Sequence, residues 1–110
     1  MNKFLEQYTV DVDYPEVSGI EHLQMLETRS KLYSLELQLS EEERRLLDAA
    51  DHKLATQAIH FLRELKHFVN LTEERRRREV SAEEWWWYLD VLVQAPALPQ
   101  RSAEVVPVPA

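Results

Sequence analysis

The stretch EEERRLLDAADHKLATQAIHFLRELKHFV, residues 41–69, contains neither Gly nor Pro and places an apolar side chain at every seventh position: Leu47, Leu54, Phe61 and Phe68. Ala50, Ala58, Leu62, Leu65 and Val69 fall beside them, so a wheel at about 100° per residue shows one unbroken apolar face. The spacing predicts a single helix over 41–69, roughly 40 Å long at about 1.5 Å per residue. A rod of that length needs cover. Either two shorter helices of the same chain pack end to end along it, or a second copy of the chain covers what they leave.

Ser40 and Glu43 open this stretch in the spacing of a capping box, where a hydroxyl and a carboxylate reciprocally satisfy two orphan backbone N–H groups. Ser18 with Glu21 and Ser81 with Glu84 repeat the device. The first opens a helix over 19–33, with Ile20, Leu23, Leu26, Ser30 and Tyr33 on one stripe. The last opens a helix over 82–94, where Glu83 and Glu84 complement the positive end of the helix dipole. Val80 and Trp85 take the two positions of a hydrophobic staple there. Residues 8–14 and 33–39 alternate apolar and polar side chains, the period of a half-buried strand. They read either as a short strand pair or, for the leucine-rich second segment, as a continuation of the first helix. The expected fold is mainly α: a single small domain over 1–95 with a long central helix and two shorter ones, a short N-terminal two-stranded element being left open. Residues 96–110 hold four of the five prolines, whose missing N–H groups predict an extended, disordered tail.

The chain has 110 residues, with 13 Lys and Arg against 20 Asp and Glu for a net charge of −7, one Gly and no Cys. That length fits one domain. The acid surplus argues against nucleic acid as a partner, because neutralising phosphates takes surplus cations. Without Cys there are no disulfides, thiol nucleophiles or thiolate metal sites, and a single Gly leaves no Gly-rich phosphate loop. No Gly-x-Ser-x-Gly nucleophile elbow occurs either. The first residues carry Lys3, Glu6 and Gln7 without an apolar run, and no apolar run approaches the ~20 residues that cross a bilayer. The expectation is a cytoplasmic protein.

Trp85, Trp86, Trp87 and Tyr88 are consecutive. On an α-helix they would point about 100° apart and surround it. Leu89, Val91, Leu92 and Val93 follow, so the helix is apolar nearly all round, more than a domain this small can obviously cover. It either plugs the core or forms the centre of an interface, where Trp, Tyr and Arg dominate binding energy. Arg75, Arg76, Arg77 and Arg78 lie just before it. Glu73, Glu74 and Glu79 stand at ion-pair spacing from Arg77, Arg78 and Arg75, which reads as a solvated helix face. His60, Glu64 and His67 share a stripe with a Glu-x-x-His spacing, but a di-metal bundle needs a second such motif and two further inward carboxylates. Asp48 and Asp51, beside His52, add no such set. Neither metal nor cofactor is expected.

The sequence therefore reads as a non-enzymatic protein–protein interaction module, an adaptor, assembly factor or regulator, acting as a homodimer. Its interface would use Phe61, Phe68, Trp85, Trp86, Trp87 and Tyr88, with Arg75, Arg76, Arg77 and Arg78 at the rim steering an acidic partner. Two rivals remain. One is a peripheral membrane-surface protein that sets the Trp cluster among headgroups and the arginines on anionic lipid. The other is a small helical metal-dependent hydrolase built on Asp48, Asp51, His60, Glu64 and His67.

Overall fold

The computed structural model describes residues 1–94, and the tail expected over 96–110 lies outside them. Six helices follow one another: α1 (Lys3–Asp11), α2 (Gly19–Ser34), α3 (Glu41–Thr56), α4 (Ala58–Leu65), α5 (Leu71–Arg78) and α6 (Leu89–Gln94). Tight 3-10 turns occupy Glu36–Gln38 and Trp85–Tyr88. The protein is mainly helical, as the periodicities predict, and no strand occurs among the described residues.

The strand alternative for 8–14 and 33–39 is thereby corrected. Leu5, Tyr8 and Val12 form a helical stripe, all three buried, while Val10 faces water. Asn2 caps this helix, its Oδ1 accepting from the N–H groups of Phe4 at 2.7 Å and Leu5 at 3.2 Å. The second segment runs from the end of α2 into the 3-10 turn, which Arg44 ties to α3 by donating to the Glu36 carbonyl at 2.9 Å.

The single helix expected over 41–69 is two. Gln57 leaves helical geometry at φ −103° and ψ 18°. The preceding Thr56 hydroxyl donates back to the carbonyls of His52 at 2.9 Å and Lys53 at 3.2 Å, a contact that bends helices. Different partners pull on the two halves: α3 packs on α1, and α4 packs on α2 and α6. Breaking the rod lets Leu47, Leu54, Phe61 and Leu65 enter one core. At the start of α3 the capping box of Ser40 and Glu43 is complete. The Glu43 carboxylate also accepts the Asn2 N–H at 2.9 Å, so it links the beginnings of α1 and α3. Backbone N–H groups of Ser40 and Asn2 hold this carboxyl below its ordinary value.

The helix expected over 82–94 begins late. Ser81 and Glu84 do contact each other, but the chain first makes the 3-10 turn and enters α6 only at Leu89.

Helix α2 is the hub, packed against α1, α4 and both 3-10 turns. Its buried stripe is His22, Met25, Leu26, Arg29 and Leu32, rotated from the one the apolar residues suggest, and Ile20 is left exposed. The rotation follows from a polar link: Arg29 pairs with Asp51 of α3 through two bonds of 2.9 Å, and the Tyr8 hydroxyl donates to the same carboxylate at 2.6 Å. Burial alone would lower the Arg29 guanidinium; Asp51 instead holds it above its ordinary value. Burial and the same carboxylate push the Tyr8 phenol well up. Gly19 opens α2 where α4 comes close. A Cβ at this position would lie 2.4 Å from the Glu64 carbonyl oxygen and 2.6 Å from the Phe68 ring.

Candidate functional site

The 3-10 geometry of Trp85–Tyr88 decides where the four rings go. At about three residues per turn, side chains i and i+3 eclipse. Trp85 and Tyr88 therefore share one side, and Trp86 and Trp87 point to the other two. Both inner indoles are 1% exposed. They converge on one hydroxyl: Ser30 Oγ of α2 accepts from Trp86 Nε1 at 3.0 Å and from Trp87 Nε1 at 2.9 Å, and donates to Glu84 at 3.1 Å. Trp85 stays half-buried, edge-on to Trp86 with ring centres 5.9 Å apart. Tyr33 meets Trp86 in the same way at 5.7 Å.

The arginine run splits by face. Arg75 and Arg78, three residues apart on α5, fold onto the aromatic turn, each guanidinium 4.6 Å from a ring centre, Tyr88 and Trp87 respectively. Arg29 completes the set from α2, 4.1 Å over Trp86. Each cation also meets an acceptor. Arg75 donates to the Trp87 carbonyl at 2.8 Å and pairs with Asp90 at 2.7 Å. Arg78 bridges Glu74 and Glu27, both at 2.8 Å. Only Arg76 and Arg77 point outward, paired with Glu73 and Glu74. The solvated face read from the spacing thus describes half of the run. The Arg75–Glu79 pair does not form, because Glu79 adopts a left-handed conformation, φ 54° and ψ 48°, that ends α5. Bonds from Arg77, against partial burial, and then from Arg78 hold the Glu74 carboxyl below its ordinary value.

Three of the expected interface residues belong to the core. Phe61 is fully buried, edge-on to His22 at 4.6 Å, and Trp86 and Trp87 offer a partner almost no surface. The reason is cover that the sequence does not display: Arg29, Ser30 and Arg78 close over the indoles within one chain. Trp85, Tyr88, Arg75 and Arg78 are half-buried around them. Phe68 stands apart, 53% exposed in the turn after α4.

Other exposed apolar side chains lie on α4 and α6. Ile59 on α4 and Val91 and Leu92 on α6 all face water, and the two helices pack against each other. Ile59 falls outside the seven-residue register, which is why the pattern passed over it. A groove of about 380 Å³ opens beside Trp87, lined by Glu27, Ser30, Lys31, Arg78 and Glu84 among others. Its Arg78 and Glu27 are already paired with each other.

His60 and Glu64 are half-buried and His67 is exposed, while Asp51 is engaged by Arg29 and Tyr8. Among the described residues no group of three or more His, Asp or Glu side chains is gathered as ligands for a cation. No described helix is long and apolar enough to cross a membrane. Comparison with protein families, curated proteins and solved structures finds no match to this chain.

Proposed function

We propose that this chain is a non-enzymatic protein–protein interaction module that works as a homodimer through the outer face of α4 and α6. One observation carries the reading: α4 and α6, in mutual contact, keep Ile59, Val91 and Leu92 in water, and Phe68 is exposed in the turn that follows α4. Single exposed apolar residues are ordinary on a monomer; several on one pair of helices mark an interaction surface. The inner sides of the same helices are fixed by Phe61, Leu65 and Leu89, so the face is presented rigidly and costs little to order on binding. A two-fold contact would bury the same patch on both subunits, with Phe68 as the aromatic anchor. Trp85 and Tyr88 contribute ring edges, and of the four arginines Arg76 and Arg77 remain turned outward to steer a partner.

Thermal unfolding at several chain concentrations tests this. Dimerisation makes Tm rise with concentration. The wild type should show that rise over a roughly 100-fold range, and the double variant Phe68→Ser/Val91→Ser should lose it. A wild-type Tm that does not move with concentration rules out the dimer.

A further inference from the structure

The negative charge of this chain is concentrated. Residues 4–28 hold six of its 20 acids, Glu6, Asp11, Asp13, Glu16, Glu21 and Glu27, and no Lys or Arg. The rest is nearly balanced, with 14 Asp and Glu against 13 Lys and Arg. Two of the six carboxylates are neutralised from elsewhere in the fold, Asp13 by Lys53 and Glu27 by Arg78, each at 2.8 Å. Glu6, Asp11, Glu16 and Glu21 have no ion pair among the described residues.

The arrangement is poor for stability. Asp11 sits in the last turn of α1, which has no basic residue, at the end where a helix dipole disfavours negative charge. Partial burial, and then the nearby Glu21 carboxylate, hold its carboxyl above the ordinary value, with only the Gln7 amide bonding to it. Local charges that work against the fold point to a use outside it.

Apolar side chains are interleaved with these acids. Val10 (52% exposed), Tyr14 (58%), Val17 (36%) and Ile20 (48%) all face solvent within the same short stretch. The connection between α1 and α2 that carries them is pinned: buried His22 bonds through Nε2 to the Pro15 carbonyl at 2.9 Å. Backbone bonds from Asp13 to Val10, Tyr14 to Asp11 and Val17 to Tyr14 close successive turns. Exposed apolar side chains interleaved with unpaired carboxylates along one short stretch are complementary to one chemistry, a cationic chain with apolar side chains of its own.

We propose that the end of α1, the connection after it and the start of α2 form a docking site for a basic amphipathic segment of a partner protein. That segment sets Lys or Arg against Asp11, Glu16 and Glu21, and rests apolar side chains on Val10, Tyr14, Val17 and Ile20. The proposal stands whether or not the chain self-associates.

The test is titration of the full chain with a fluorescent amphipathic Leu/Lys helical peptide, with an oligolysine of equal charge as comparator. Two surface variants, Val17→Ser/Ile20→Ser and Asp11→Asn/Glu21→Gln, are set beside Glu41→Gln/Glu42→Gln, which removes two charges from the first turn of α3, beside the opposite end of α1. Saturable Leu/Lys binding is expected, weakened about tenfold or more by each surface pair and less than about twofold by the distant pair; tenfold corresponds to about 1.4 kcal/mol. Oligolysine should bind more weakly than the Leu/Lys peptide. Absence of saturable binding, equal loss in the distant pair, or oligolysine binding as tightly would each overturn the proposal. So would a fall in the wild type's own mass on Val17→Ser/Ile20→Ser, which would make this face a contact between copies. Two independent pairs of substitutions keep the result readable if one variant is unstable.

Discussion

Ser30 satisfies two indole N–H groups that are otherwise buried without an acceptor. An unpaired buried donor costs about 1–3 kcal/mol, and the groove beside Ser30 admits water that can replace part of the loss. Ser30→Ala should therefore destabilise the fold by about 2 kcal/mol in a urea titration. A change below about 0.5 kcal/mol would show that the hydroxyl is incidental. The same residue shows where sequence reading stops. Four consecutive aromatics and four consecutive arginines are visible in the string, and both belong to one cluster. What orders them, Ser30 and Arg29, comes from a helix 56 positions away in the chain. No local spacing connects them. Arg75 and Arg78 also look the same as Arg76 and Arg77 until the aromatic turn is placed against α5.

Two of the three Ser–Glu caps mark a helix start, and the third, at Ser81, precedes the 3-10 turn instead. Ser18 and Ser40 do open α2 and α3. Where two periods fit equally, the reading failed: Tyr8, Val10 and Val12 satisfy alternation, and only Leu5 and the Asn2 cap distinguish the helix. The break at Gln57 left no trace because the apolar face continues from Leu54 through Ala58 to Phe61; the two halves diverge because α1 and α2 claim them separately. Gly19 is the counterpart of that break, since it allows α2 to approach α4. Its backbone is unexceptional and its role is space. Alanine is the better helix former by about 1 kcal/mol in a helix interior, yet Gly19→Ala should lower stability by about 2 kcal/mol, as overpacking does. Equal or higher stability on denaturant unfolding would mean that the α2–α4 contact yields freely.

The whole molecule balances carboxylates of opposite character. Glu43 and Glu74 are more acidic folded than unfolded. Their stabilisation is present above the ordinary carboxylate value of about 4.3 and is lost as pH falls through their lowered values. Asp11 runs the other way: its raised value makes the native state gain as pH falls through it. Glu74→Gln should accordingly lower Tm at neutral pH and flatten its decline in acid, measured as Tm from about pH 7 to pH 3. An acid limb as steep as the wild type's would remove Glu74 from the account.

At this scale the aromatic cluster closes within one chain, and part of the apolar surface left over lies on α4 and α6, where a second copy is proposed to bind. Light scattering on a sizing column weighs that proposal directly. The wild type should elute at twice the 13.0 kDa chain mass, and Phe68→Ser/Val91→Ser at the chain mass. A wild type that stays at 13.0 kDa as its concentration is raised would contradict it.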